Sequence, residues 1–329
     1  MLLRVLVCLL VGLPVVAQEV VVYTALDEIY SRPVLDAFEE ETGIDVLAVY
    51  DTEASKTTGL VNRIIAEERR PRCDVFWNNE VAQTIVLKDK GLLEPYESPT
   101  AATIPAQFKD PEHYWTGFAA RARVIIYNTD IMDEPPSSIL DFTKPEWRGK
   151  ACIALPLFGT TATHAAALFT AWGPEKAKQY FRDMKANDVA ILPGNAQTRD
   201  MVARGEYAFG MTDTDDANGA VEDGFPAKWV FPDQGEDEMG TLVIPNAVSL
   251  IKGAPNPEPA KRLIDYLLSV EVEERLARMR SIQIPVQPEA DAPENVPNLA
   301  DIKAMDVDFN EAAEMMDESM AFIREEFQN

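Results

Sequence analysis

Residues 19–23 read EVVVY, 44–50 read IDVLAVY and 73–77 read CDVFW, and what lies between these runs decides the fold. Each run is short and rich in β-branched or aromatic residues, the mark of a buried strand. The intervals carry a helical period instead. Ile29, Val34, Leu35 and Phe38 make an apolar face that stops before Gly43. Ser55 can cap a second helix, in which Leu60, Val61, Ile64 and Ile65 recur at helical spacing. Asn78-Asn79-Glu80 opens a third, through Val81, Ile85 and Val86 to Gly91. Strand, helix, strand, helix, strand predicts a parallel α/β sheet. Its strands run out into three polar turns, Thr24 to Asp27, Asp51 to Lys56 and Asn78 to Glu80. Open α/β sheets bind ligands at the carboxyl ends of their strands, so these turns belong on one functional edge.

The same logic recurs downstream. Lys150 to Leu155 is a strand, followed by Phe158 to His164, which opens an Ala-rich helix with Thr160, Thr161 and Thr163 at its start. Pro174 to Ala186 is another helix and Val189 to Leu192 another strand, after which Asn195 is placed as a capping residue. Gly205 to Asp216 (GEYAFGMTDTDD) then passes from a helix end through an apolar strand into three carboxylates and two hydroxyls. Two longer runs stand apart. Phe118 to Tyr127 carries Arg121 and Arg123, which lie two apart on a strand and face the same side. Thr241 to Ile251 carries Pro245, which cannot donate to a ladder and marks a place where a strand changes sheets. Amphipathic helices are expected over Ala260 to Leu268, Val270 to Met279 and Asn310 to Phe327, with Gln283 to Val286 extended.

A chain of 329 residues exceeds one compact core and suggests two domains. The net charge of −25 argues against nucleic acid and anionic membrane surfaces as partners. Arg4, the apolar run Val5 to Val16 and Val15-Val16-Ala17 before Gln18 read as a cleaved secretory signal over residues 1–17. Cys8 falls inside that run after Val7, which does not suit a lipid anchor. Cys73 and Cys152 remain, either paired in an oxidising compartment or separately buried as small apolar residues.

Taken together, Val22-Tyr23-Thr24-Ala25, Thr42-Gly43-Ile44, Asp74 to Trp77, Gly91-Leu92-Leu93-x-Pro95-Tyr96, Ala122-Arg123-Val124-x-x-Tyr127-Asn128, Gly205-Glu206 and Gly253-Ala254-Pro255 resemble extracellular solute-binding proteins. The nearest branch is that of the periplasmic ferric-ion-binding proteins of ABC importers. The resemblance covers the mature chain and implies a type II periplasmic-binding α/β fold. Two lobes are expected, each a mainly parallel sheet with helices on both faces, joined by a two-strand hinge. Residues 18–121 with 246–288 would form the first lobe, and 122–245 with 289–329 the second. The chain would be a monomeric periplasmic binding component serving an inner-membrane permease, and not an enzyme. Its cargo would be ferric iron with a synergistic anion, carried as transported ligand and not as a cofactor.

The family's iron ligands fall here on Asp27, on Asn79 or Glu80, and on Asp215 and Asp216, where its two tyrosines are absent. Asp27, Glu80, Asp215 and Asp216 are thus the metal donors, hard oxygen groups suited to a hard cation. Thr160, Thr161, Thr163 and Asn195 would meet the anion at helix starts. Thr24, Thr214, Arg121 and Arg123 complete the expected ligand set. For the acidic cluster a solvated cap is the competing reading, and for the arginines an ion pair within an acidic protein. A small organic anion, such as a phosphonate or sugar phosphate, is the alternative cargo. An exported hydrolase has little to work with, because neither Gly-x-Ser-x-Gly nor His-Glu-x-x-His occurs and the chain has only 2 histidines.

Overall fold

The computed structural model describes residues 18–51 and 57–328. The expected signal segment and the Ser55 cap lie outside these residues. In chain order the first part holds β1 (Glu19–Thr24), α1 (Glu28–Thr42), β2 (Asp45–Tyr50), α2 (Thr58–Ala66), β3 (Val75–Asn78), α3 (Ala82–Asp89) and β4 (Leu93–Glu94). The long β5 (Thr116–Asn128) leads to β6 (Ala151–Ala154), α4 (Gly159–Trp172), α5 (Pro174–Ala186), β7 (Ala190–Leu192) and α6 (Asn195–Ala203). Next come β8 (Phe209–Asp213), α7 (Thr214–Glu222), β9 (Ala227–Val230) and β10 (Val243–Ile251). The chain closes with α8 (Pro257–Leu267), α9 (Val270–Arg278) and α10 (Phe309–Gln328).

One curled sheet runs in the order β2-β1-β3-β10-β5-β8-β6-β7, with β4 on β10 and β9 on β5. Parallel pairing between the named strands falls in two groups, β2-β1-β3 and β7-β6-β8. Between them lie β10 and β5, antiparallel to their neighbours and to each other. The two halves of β5 serve different groups: Thr116 to Ala122 pairs with β10, and Arg123 to Tyr127 with β8. It is the crossing strand expected from its length. β10 crosses as well, and its register against β5 shifts between Pro245 and Asn246, the break that the proline foretold. The crossing pair is tight. A Cβ on Gly117 would come within 3.0 Å of Pro245 and of the Phe108 carbonyl.

Two local expectations need correcting, and one left open is decided. Ile29 is 67% exposed, so the buried face of α1 is Ser31, Val34, Leu35 and Phe38. The side chain of Ile29 leaves the core because it lies in the first turn, where α1 has just left the sheet edge. Asn195 is the first residue inside α6, Gly194 taking the cap position, which frees the Asn195 amide for the site described below. Cys73 and Cys152 are both buried free thiols and do not pair; each fills a place among apolar side chains in its own half of the sheet. By contrast, Gly43 closes α1 as read, with φ +68° and its N–H on the Glu39 carbonyl at 2.8 Å. Helix α10 packs its Met316 and Ile323 face into the core around α4 and α5.

Candidate functional site

The starts of α4, α6 and α7 follow the carboxyl ends of β6, β7 and β8, and none of the three is closed by a side-chain cap. Their first-turn amides and hydroxyls therefore face a common cavity. Thr160, Thr161 and Asn195 line it from α4 and α6, and Asp213, Asp215 and Asp216 from the start of α7. Asp27 and Asn79 enter from the turns after β1 and β3, and Arg121 from the crossing strand. The convergence follows from chain geometry: each residue sits where a strand ends or crosses.

The three aspartates each offer an oxygen, all within 4.8 Å of one another. Asp213 is the anchored member. Its Oδ1 accepts from Nη1 of Arg123 at 2.7 Å, and its Oδ2 from Thr160 Oγ1 at 2.6 Å and Asn195 Nδ2 at 3.0 Å. Burial acts to raise the pKa of this carboxyl, but the Arg123 and Arg121 guanidiniums outweigh it and hold it below the usual carboxylate range. Asp215 lies 3.2 Å from Nη1 of Arg121 and also accepts the Asp216 amide at 3.0 Å. Asp216 takes the Thr212 hydroxyl at 3.4 Å and has Arg199 at 3.7 Å. The start of α7 adds its dipole to the support of these charges.

Arg121 and Arg123 do share a side of β5, yet they do different work. Arg121 faces the cavity, and Gln283, with its amide oxygen turned toward it, accepts from Nη2 at 3.2 Å. Arg123 is wholly buried behind the cavity wall, where Nη1 also reaches Thr160 at 3.3 Å and Asn195 at 3.2 Å. It holds the wall and does not line it.

Of Asn79 and Glu80, the structure turns Asn79 to the cavity, where its Oδ1 accepts from Thr57 at 2.7 Å. Glu80, expected as a metal donor, is not among the residues that line this cavity. Its carboxylate is fully buried away from the cavity and accepts from Asn78 Nδ2 at 2.9 Å, the Gln83 amide at 3.0 Å and Thr163 Oγ1 at 2.7 Å. Burial raises its pKa, and no cation is among the causes that lower it. Thr163 is thus committed to Glu80, a contact between α4 and the turn after β3. Thr24 and Thr214 are also supports, accepting the Leu26 amide at 3.2 Å and the Ala122 amide at 3.3 Å respectively.

One residue at the site was not anticipated. The phenol of Tyr30 is pushed up to about 12, first by burial and then by the charges of Asp215, Asp216 and Asp27. It lies three residues after Asp27 on the first turns of α1, a spacing that puts both on one helix face. That spacing is the signal that could have found it.

A family model described as bacterial extracellular solute-binding protein matches residues 34–304. Among curated relatives, Iron uptake protein A1 of Synechocystis sp. is 27% identical, over 78% of this chain and 71% of its own. A putative 2-aminoethylphosphonate-binding periplasmic protein of Salmonella typhimurium is 25% identical, over 74% and 70%. A probable ABC transporter periplasmic-binding protein of Sinorhizobium fredii is 28% identical, over 70% and 65%. Iron-bound HitA from Pseudomonas aeruginosa superposes with a TM-score of 0.85 at 22% identity, covering 94% of this chain and 99% of that one. AfuA from Actinobacillus pleuropneumoniae, solved with exogenous fructose-6-phosphate, gives 0.84 at 24% identity, over 94% and 99%. The fold is therefore the type II periplasmic-binding fold, as expected.

Proposed function

The chain belongs to the bacterial extracellular solute-binding protein family, and from that premise we propose that it is the cargo-binding component of an ABC-type importer. It acts outside the cytoplasmic membrane and delivers a small ligand to a membrane permease by binding alone, without turnover. Residues 18–121 with 246–288 form one lobe and 122–245 with 289–329 the other, with β5 and β10 as the hinge. The S. fredii relative supports the transporter role.

The cargo is a ferric ion accompanied by a small anion. One observation carries this reading: Asp27, Asp215 and Asp216 share a cavity with the uncapped starts of α4 and α6. Carboxylates are hard donors for a hard trivalent cation, while helix starts bearing Thr160, Thr161 and Asn195 suit an anion. Both signs of charge are thus catered for in one place. The Synechocystis relative supports iron.

A second reading keeps the site and changes the cargo to a zwitterion such as an aminoalkylphosphonate, the ammonium on the aspartates and the phosphonate on the helix starts. Arg121 inside the cavity favours it, since a guanidinium repels a bare cation and attracts an oxyanion. The S. typhimurium relative supports it as well. Isothermal titration of the ligand-free protein with ferric citrate, 2-aminoethylphosphonate and fructose 6-phosphate separates the readings. Saturable one-to-one heat with ferric citrate, lost in Asp215→Asn, is expected. Heat with 2-aminoethylphosphonate and none with iron would overturn the ferric reading and leave the zwitterion. No response to any of the three would sink both.

A further inference from the structure

Behind the cavity wall lies a second space of about 30 Å³, bounded by β5, β6, β8, α4 and α5. Arg123 and His164 face it from a lining that is otherwise mostly apolar, including Phe142, Leu168, Phe181 and Met211. Arg123 is 0% exposed and His164 7%. Nε and Nη2 of Arg123 and Nε2 of His164 have no protein partner. The guanidinium is therefore satisfied on one side only: Nη1 serves Asp213, Thr160 and Asn195, while the N–H groups on the other side point at the chamber. Leaving donors of a buried cation without an acceptor is costly.

The chamber defines what would meet that need. No carboxylate is among its lining residues. The hydroxyls of Tyr180 and Thr161 already donate, to the Ile139 carbonyl and to Asn195. The unpartnered groups are donors, two of them on a cation, so the occupant must accept several hydrogen bonds, as an anion does. Aromatic rings on the walls can add the positive edges of their quadrupoles. The space is large enough for a group of one or two heavy atoms. His164, driven down to about 3 by burial and then by Arg123, stays neutral and can donate through Nε2.

We propose that this chamber binds a small monovalent inorganic anion, with chloride as its probe, seated between Arg123 and His164. The anion completes the coordination of Arg123, which in turn holds Asp213, Thr160 and Asn195 against the cleft. The site neighbours the cargo cavity through Thr161 without being part of it.

The tests use the cargo-free protein, so that their outcome does not depend on which cargo is bound. Crystals grown with bromide in place of chloride are expected to give an anomalous peak within hydrogen-bond reach of Arg123 and His164. A peak that refines as water, with no anomalous signal, would overturn the proposal. In solution, 100 mM chloride is expected to raise the melting temperature by about 2 °C over gluconate at equal ionic strength, as linkage requires for a site of roughly 10 mM affinity. Equal melting in both salts would also overturn it. His164→Phe, which fills the chamber, is expected to lose the chloride-specific shift, and His164→Gln, which keeps an amide donor, to retain it. If the phenylalanine variant does not fold, the bromide experiment on the natural protein decides.

Discussion

Glu80 and Asp213 are two carboxylates buried to almost the same degree, 0% and 2% exposed, one in the turn after β3 and the other at the end of β8. Their acidities move in opposite directions. Glu80 is surrounded by neutral donors, Asn78, Thr163 and the Gln83 amide, and burial wins: its pKa rises. Asp213 has the same desolvation working on it, but Arg123 and Arg121 reverse the sign. Burial alone does not decide the charge of an acid; the nearest cation does. The wall after β3 is thus held by neutral hydrogen bonds, and the wall at α7 by an ionic lattice.

The largest expected effect breaks the ionic wall. Asp213→Asn leaves Arg123 buried without its counter-charge, and removing one partner of such a pair costs about 3–5 kcal/mol. Urea unfolding measures it, and a loss under about 1 kcal/mol would dissolve the contrast drawn above. Thr163→Val is the corresponding cut on the neutral wall. It removes one donor from a buried carboxylate and is expected to cost about 1–3 kcal/mol, read by the same unfolding experiment. Glu80→Gln comes next, because an amide of the same shape keeps an oxygen for Asn78 and Gln83. A change within about 1 kcal/mol is expected, and a loss as large as that of Asp213→Asn would mean that Glu80 works as a charge after all.

The smallest effect is a pair of opposite pH slopes. Asp213 has a depressed folded value, so its contribution is present above the ordinary carboxylate range and is lost as the pH falls through the folded value. Glu80 has a raised folded value, so its contribution is fully present below the ordinary range and is lost as the pH rises through the folded value. In Glu80→Gln the loss of stability as the pH rises above the ordinary carboxylate range should therefore disappear, while the loss on acidification below that range, which belongs to Asp213, remains. Unchanged pH dependence in that variant would break the comparison.

The architecture was legible because it rests on local periodicity. β1, α1, β2 and the long β5 each carry their pattern within a few residues, and Pro245 marked the irregular crossing by chemistry that holds in any sheet. The site was legible in place more than in detail. Sequence put Asp215, Asp216, Thr160, Thr161 and Asp27 in the cleft because they follow strands. It could not choose between Asn79 and Glu80, since adjacent residues in a turn face different ways and the turn decides which. The weight on Asp213 and the support role of Arg123 were equally hidden. Both depend on one ion pair across the β5–β8 register, which no spacing along the chain encodes. Tyr30 was overlooked because an aromatic residue in a helix reads as core until a charged neighbour from a distant segment is placed beside it.

The position of β10 has a consequence for how the molecule comes into being. It lies between β3 and β5, strands made long before it, and pairs with both. Until residue 243 and its successors have been synthesised, β3 and β5 have no strand to join them, and the early part of the chain cannot complete its own sheet. Pairings this distant in sequence close slowly. The joining of the two parallel groups through β10 is therefore expected to be a late step of folding.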